Sequence, residues 1–295
     1  MKTKPLYLLF LIIFLAGAAS CGRQEENSTA PQTADLTIQN KGSDTIVNLA
    51  LAWAEEYQSQ HPDVSLSVTG GGSGTGIASL INGTVDIANA SRKMKPEEIE
   101  TARESGVEPV EFVIARDAIA IIVHQDNPVD QLSLQQISDI YSGKFNNWQE
   151  LGGEDRPIVR LSRETNSGTH VYFLEEVIRL GEEDNQTLFS RDTLLLPSSE
   201  GIGAEIRDNP NTIGYDGLGY VTEDMKVIAV SKDPTGDYIL PSAETVNSGR
   251  YPVARDLYMY TDGEPSGTIQ EYIQWIQSPE AQEIVTELGF VPISP

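Results

Sequence analysis

Eight residues, RETNSGTH (163–170), gather Arg163, Ser167, Gly168 and Thr169 just ahead of an apolar run, VYFLEEVIRL. An arginine fork can donate two parallel hydrogen bonds, Ser and Thr hydroxyls are neutral donors, and glycine lets an anion approach the backbone closely. Two further stretches share the plan: GSDT (42–45) and GGSGTG (71–76). Each stands where a strand should end and a helix begin, a place of unpaired backbone N–H groups and of the positive end of the helix dipole. The chemistry these residues suit is oxyanion capture. Helix caps are common, so the pattern fits either three ordinary capped helices or one shared anion site.

Other chemistries find no motif. GGGSGTG (70–76) lacks the lysine of a P-loop and does not satisfy G-x-G-x-x-G. Ser73 is not in G-x-S-x-G, because the fifth position is Thr75. His61, His124 and His170 lack metal-ligand spacing, and each is expected on the surface or in a cap. Glu55–Glu56, Glu97–Glu98 and Glu182–Glu183 read as solvated faces. No catalytic group, metal or cofactor is expected.

The elements that must position the loops alternate. LTIQN, VSLSVT and VDIANAS read as strands, and the segment after GSDT as a helix with Ser43 or Asp44 as its N-cap and Ile46, Leu49, Trp53 and Tyr57 as its core stripe. KPEEIETAR (95–103) reads as a helix with Pro96 early, FVIARDAIAIIVHQ as buried strand, and LSLQQISDIYSG as a helix ending at Gly143. IQEYIQWIQ and SPEAQEIVTEL close the chain as helices, with Ile269, Ile273 and Ile276 at core spacing. This alternation is α/β.

The first 20 residues read as an export signal: Lys2 and Lys4, an apolar run from Leu6 to Leu15, then small residues. AASC resembles a lipoprotein cleavage site with Cys21 lipidated, although Ala18 stands where that pattern prefers leucine. Cys21 is the sole cysteine of the chain. An ordinary secretory signal is the alternative. Residues 21–35 read as a flexible tether. About 260 residues then remain, enough for two domains. Removing Lys2 and Lys4 takes the formal charge from −24 to −26. Without a basic patch, nucleic acid is excluded as a partner. Long-range charge opposes an anionic ligand, so an anion site must act through short-range hydrogen bonds.

Taken together, KGSDT, GGGSGTGIASLINGTVDIANASR, LSLQQISDIYSGKFNNWQELGG, RETNSGTH, NTIGYDGLGY and SPEAQEIVTELGFVPI resemble the phosphate-binding proteins of bacterial ABC phosphate transporters, the PstS family, over nearly the whole mature chain. The resemblance implies a two-lobed periplasmic-binding-protein fold of the type II-like class, with two hinge crossover strands near Phe112–Val123 and Leu257–Tyr260. Lobe 1 would comprise 36–114 plus 260–295, and lobe 2 would comprise 115–259. It also implies a phosphate site built from Ser43, Asp44 and Thr45, from Ser73 and Gly74, from Ser91 and Arg92, and from Arg163, Ser167, Gly168 and Thr169. For Arg163 the plainer alternative is a surface salt bridge to Glu164.

One position departs from the family pattern. In its best-known members an aspartate follows the serine that ends the VDIANAS-type strand, and it accepts a proton from phosphate. Here Arg92 follows Ser91. Asp44 is then the candidate acceptor, since a carboxylate only accepts and would repel sulfate. The alternative is that Asp44 merely caps its helix. Arg92 would bind the anion or neutralise Asp44. The expectation is a monomeric, lipid-anchored, extracytoplasmic protein that hands inorganic phosphate to an ABC permease. Sulfate or molybdate as ligand, a phosphatase-like hydrolase, and a sensor or adhesion protein that has lost its ligand are the alternatives.

Overall fold

The computed structural model describes residues 36–293; the leader, Cys21 and tether expected at 1–35 lie outside them. Strand β1 (Leu36–Gly42) leads into helix α1 (Asp44–Gln60), which buries Ile46, Leu49, Trp53 and Tyr57 as its stripe predicts. β2 (Val64–Thr69), α2 (Ser73–Ile81), β3 (Ile87–Ala90) and α3 (Pro96–Glu104) follow, and β1 lies between β2 and β3, parallel to both. Pro96 occupies the first turn of α3, where its missing N–H costs nothing.

β4 (Pro109–His124) is the longest strand, and it has two sets of neighbours. Beyond it come β5 (Gln131–Ser133), α4 (Leu134–Tyr141), β6 (Val159–Arg163), α5 (Gly168–Tyr172), β7 (Leu194–Leu196), α6 (Ser199–Asp208), β8 (Thr212–Gly217), β9 (Met225–Ser231) and α7 (Ala243–Asn247). β10 (Ala254–Asp262), α8 (Gly267–Ile276) and α9 (Pro279–Glu287) complete the order. From Pro109 to Ala118, β4 runs antiparallel to β10; from Ile119 onward it pairs with β8 and β9 instead. The strand order is β2-β1-β3-β10-β4-β8-β6-β7, with β9 bridging β4 and β5.

The apolar interior divides along the same line. α1, the first strands and the first part of β4 share a core with Leu257, Met259, Tyr272, Ile273, Ile276 and Val285 near the C-terminus. The later part of β4 packs with Tyr141, Trp148, Phe173 and Tyr215. The crossover segments expected near Phe112–Val123 and Leu257–Tyr260 fall inside β4 and β10.

Two expectations need correction. VYFLEEVIRL is not one helix: α5 stops after five residues, and Phe173–Ile178 winds as a wider π-turn in which Phe173 stacks flat on Tyr215, ring centres 3.6 Å apart. His170 is buried rather than on the surface: its Nδ1 lies 3.0 Å from Ser162 Oγ, and its ring stacks on Phe189. Burial pushes its imidazole down, while the backbone of Arg163 acts in the opposite direction.

Candidate functional site

The three donor loops meet, and one carboxylate joins them. β1 ends at Gly42, where a Cβ would strike the Asn89 carbonyl, so the chain turns there only with glycine. Ser43 N donates to Asn89 O at 2.9 Å, and Ser43 is the N-cap residue of α1 but makes no side-chain cap bond. Asp44 does not cap its own helix. Its Oδ1 accepts from Gly71 N at 2.8 Å, in the glycine-rich loop, and its Oδ2 accepts from Arg163 Nη2 at 2.8 Å. The Asp44 carbonyl accepts from the Tyr220 hydroxyl at 2.7 Å.

A second set of bonds joins the glycine-rich loop to RETNSGTH. Gly74 N donates to Asn166 O at 3.0 Å, and Asn166 Nδ2 donates to Gly71 O at 2.8 Å. Gly72 has φ +90, and a Cβ there would lie 2.8 Å from Asn166 O. Ser73 Oγ accepts from Ser91 N at 3.0 Å and lies 3.2 Å from Ser91 Oγ, so these two hydroxyls form one patch. Gly168 faces that patch. Ser167 Oγ accepts from Thr169 N at 3.2 Å, and Thr169 Oγ1 lies 2.8 Å from Thr45 Oγ1.

Two buried arginines serve the cluster. Arg163 Nη1 donates to Ser199 Oγ at 3.0 Å, and Nη2 also donates to Pro197 O at 2.8 Å. Ser199 Oγ donates in turn to Asp216 Oδ1 at 2.9 Å. Arg255 Nη2 donates to Asp117 Oδ2 at 3.1 Å and to Thr169 Oγ1 at 2.9 Å, and Thr45 Oγ1 lies at 3.4 Å. Burial raises the Asp117 carboxyl to about 6 against the pull of Arg255, and it raises Asp216 against the pull of Arg163. The arrangement offers hydroxyls, backbone N–H groups and two forks, with Asp44 as an acceptor among them. Chemically, such a set of donors suits a small oxyanion. Among the described residues, no group of three His, Cys, Asp or Glu side chains is placed to hold a metal ion.

The profile of the PBP superfamily domain matches residues 27–280. The phosphate-binding protein PstS of Bacillus subtilis is 30% identical over 304 residues, spanning 99% of this chain and 95% of its own. PstS of Pseudomonas aeruginosa is 30% identical over 273 residues, spanning 87% and 83%. The chain belongs to the PstS family of the PBP superfamily. Solved structures agree. A Clostridium perfringens protein, assigned as a phosphate ABC transporter substrate-binding protein and crystallised with phosphate bound, superposes with a TM-score of 0.77 at 32% identity, covering 88% of this chain and 100% of its own. An ABC-type phosphate transport receptor from Vibrio cholerae gives 0.69 at 27% identity, covering 86% and 99%.

Within this PstS-family fold, Ser43, Asp44, Thr45, Ser73, Gly74, Ser91, Arg163, Ser167, Gly168 and Thr169 come together as described. Arg163 pairs with Asp44 in another loop, not with Glu164 beside it. Arg92 is the correction. Glu98, in the first turn of α3, takes both of its forks at 2.7 Å, and the Lys93 carbonyl takes Nη1 at 2.8 Å. Arg92 therefore does not neutralise Asp44; Arg163 does. The same contact with Arg92 holds the Glu98 carboxyl below its usual range although burial opposes it.

Sequence reasoning missed Asn166, Ser199, Asp216, Asp117 and Arg255. A signal for the last two was present. Each interrupts an otherwise apolar strand with a charge that must find a partner. Both strands carry Ala-Arg-Asp, at 115–117 and 254–256. Because the strands run antiparallel, Arg255 opposes Asp117 and Asp256 opposes Arg116.

Proposed function

We propose that this protein captures inorganic phosphate outside the cytoplasm and delivers it to the membrane subunits of an ABC transporter. Its named relatives and the phosphate-bound neighbour support this reading. The observation that carries it is Asp44, whose carboxylate sits inside the donor cluster and is held there by Gly71 N and Arg163. A site of donors alone suits any tetrahedral oxyanion. A carboxylate among them suits one that still carries a proton, so phosphate is favoured over sulfate or molybdate.

In this reading Ser43, Thr45, Ser73, Ser91, Arg163, Ser167, Gly168 and Thr169 donate to the ligand, and Asp44 accepts its proton; Gly74, whose N–H goes to Asn166 O, lines the site without donating. Residues 36–114 plus 260–295 form one lobe and 115–259 the other, joined by β4 and β10. Ligand contacts from both sides favour the closed arrangement. The protein binds and releases; it makes and breaks no bond. Cys21 carries a lipid that tethers the monomer to the membrane, after removal of residues 1–20.

Calorimetric titration tests the reading. Protein stripped of ligand by partial unfolding is titrated with phosphate and then with sulfate, alongside Asp44→Asn. The expected result is phosphate binding that excess sulfate does not displace, with the discrimination lowered about tenfold or more in Asp44→Asn. Sulfate binding equal to phosphate in the wild type would remove phosphate as the ligand.

A further inference from the structure

Arg255 belongs to none of the three loops, and its placement goes beyond what an ion pair requires. It projects from β10 and is buried, with Asp117 directly opposite in the strand register. A single nitrogen, Nη2, serves Asp117, Thr169 and Thr45 together. Those two hydroxyls come from the first and third donor loops. The remaining nitrogens, Nε and Nη1, are buried and have no acceptor among the described residues. They carry three of the five N–H donors of the guanidinium.

Buried donors without acceptors are costly, and more so on a charged group. A carboxylate whose role was to neutralise a structural arginine would meet the fork with both oxygens, as Glu98 meets Arg92. Asp117 meets Arg255 with one oxygen only, and Leu218 N occupies the other at 3.2 Å. The guanidinium carbon lies 5.4 Å from the centre of the Tyr172 ring, at a groove whose cations, Arg92 and Lys93 among them, are balanced by Glu97, Glu175, Glu176 and Asp256.

We propose that Arg255 is a second guanidinium of the anion site: its Nε–H, on the same side of the guanidinium as Nη2, donates to the bound oxyanion, while Nη2 aligns the Thr45 and Thr169 hydroxyls beside it. The proposal rests on reading the cluster as a phosphate site. It gives the ligand two cations from two different strands, Arg163 from β6 and Arg255 from β10, each paired with one carboxylate. Each pair is neutral overall, so the grip on the anion comes from short-range N–H donors in a protein whose overall charge repels it. The Thr45 and Thr169 contacts of Arg255 also exist only while their two loops are together, so its full set of bonds forms on closure.

Calorimetry of the phosphate-stripped protein with inorganic phosphate tests this on wild type, Arg255→Gln, Arg255→Lys and Asp117→Asn. Arg255→Gln is expected to lose about 100-fold in affinity, and Arg255→Lys, which keeps the charge without the fork, about tenfold. Asp117→Asn removes a negative neighbour but leaves Arg255 in place, and it should bind about threefold more tightly. If the pair is only structural, Arg255→Gln and Asp117→Asn weaken binding alike, and that result overturns the proposal. Affinity of Arg255→Gln within about twofold of wild type overturns it as well. Should Arg255→Gln fail to fold, side-chain ¹⁵N–¹H spectra of the wild type decide. An Arg255 Nε–H signal, assigned by its loss in Arg255→Lys, that shifts on phosphate addition supports the proposal, and one that does not move refutes it. A wild type that gives no heat with phosphate sinks instead the phosphate reading itself, which keeps the two failures distinct.

Discussion

Gly168 sits where the third loop meets the serine patch, and it leaves no room for a side chain. A Cβ there would lie 2.6 Å from Ser91 Oγ and closer still to Ser73 Oγ. Its backbone angle is ordinary, so alanine is accepted by the chain itself and refused only by its neighbours across the site. Gly168→Ala is therefore expected to weaken phosphate binding by about tenfold or more while changing the thermal midpoint of the stripped protein little, with calorimetry and a melting curve as the two readings. Equal losses in both would mean that the contact supports the fold and not the clamp. At this scale the donor residues were legible, because Ser, Thr and Gly at a strand-to-helix turn are a local signal. Capture of Arg92 by Glu98 was local too, six residues apart and with Glu98 in the first turn of α3. The Arg255–Asp117 contact spans 138 residues and depends on strand register, which no local pattern states.

The β4–β10 pair is the element on which the rest turns. Its two Ala-Arg-Asp triplets oppose each other, so one Arg–Asp pair is buried beside the donor loops and the other, Arg116–Asp256, is partly exposed at 3.3 Å. The buried pair has a pH signature. Asp117 titrates near 6 in the fold and near 3.8 when unfolded, so the folded state holds a proton that the unfolded state has released between those values. Stability from this group is complete below about 3.8 and falls as pH rises through about 6. Asp216, also raised by burial, acts in the same direction, and Glu98 in the opposite one. The reading must therefore be a difference: urea denaturation at several values between pH 4 and 7 should show wild type losing stability relative to Asp117→Asn as pH rises. A constant gap across that range would show that Asp117 is ionised throughout. The existence of β4 and β10 was legible from their apolar runs, as was the core stripe of α1. The π-turn after α5 was not, because a ten-residue apolar run has the same periodicity whether the helix continues or widens. What distinguishes them is Phe173 stacking on Tyr215, a residue more than forty positions away.

The whole chain carries formal charge −24, and the ligand proposed for it is an anion. Long-range repulsion should slow the encounter, and salt should relieve it. Stopped-flow measurement of phosphate association is expected to show a rate that rises several-fold between about 10 mM and 150 mM salt, the reverse of steered association. A rate that falls with salt would mean that the donors local to the site outweigh the global charge. The chain path has one further consequence. Trp53 donates through Nε1 to the Ala281 carbonyl at 2.8 Å, and Tyr57 packs on Tyr272. The face that α1 buries thus belongs to residues made more than two hundred positions later. On the ribosome, everything up to the start of β10 is complete while that face still lacks α8 and α9. The order of synthesis leaves the first core open until almost the last turn of helix is made. A leader at residues 1–20 would be read by the export machinery long before the polypeptide behind it could close.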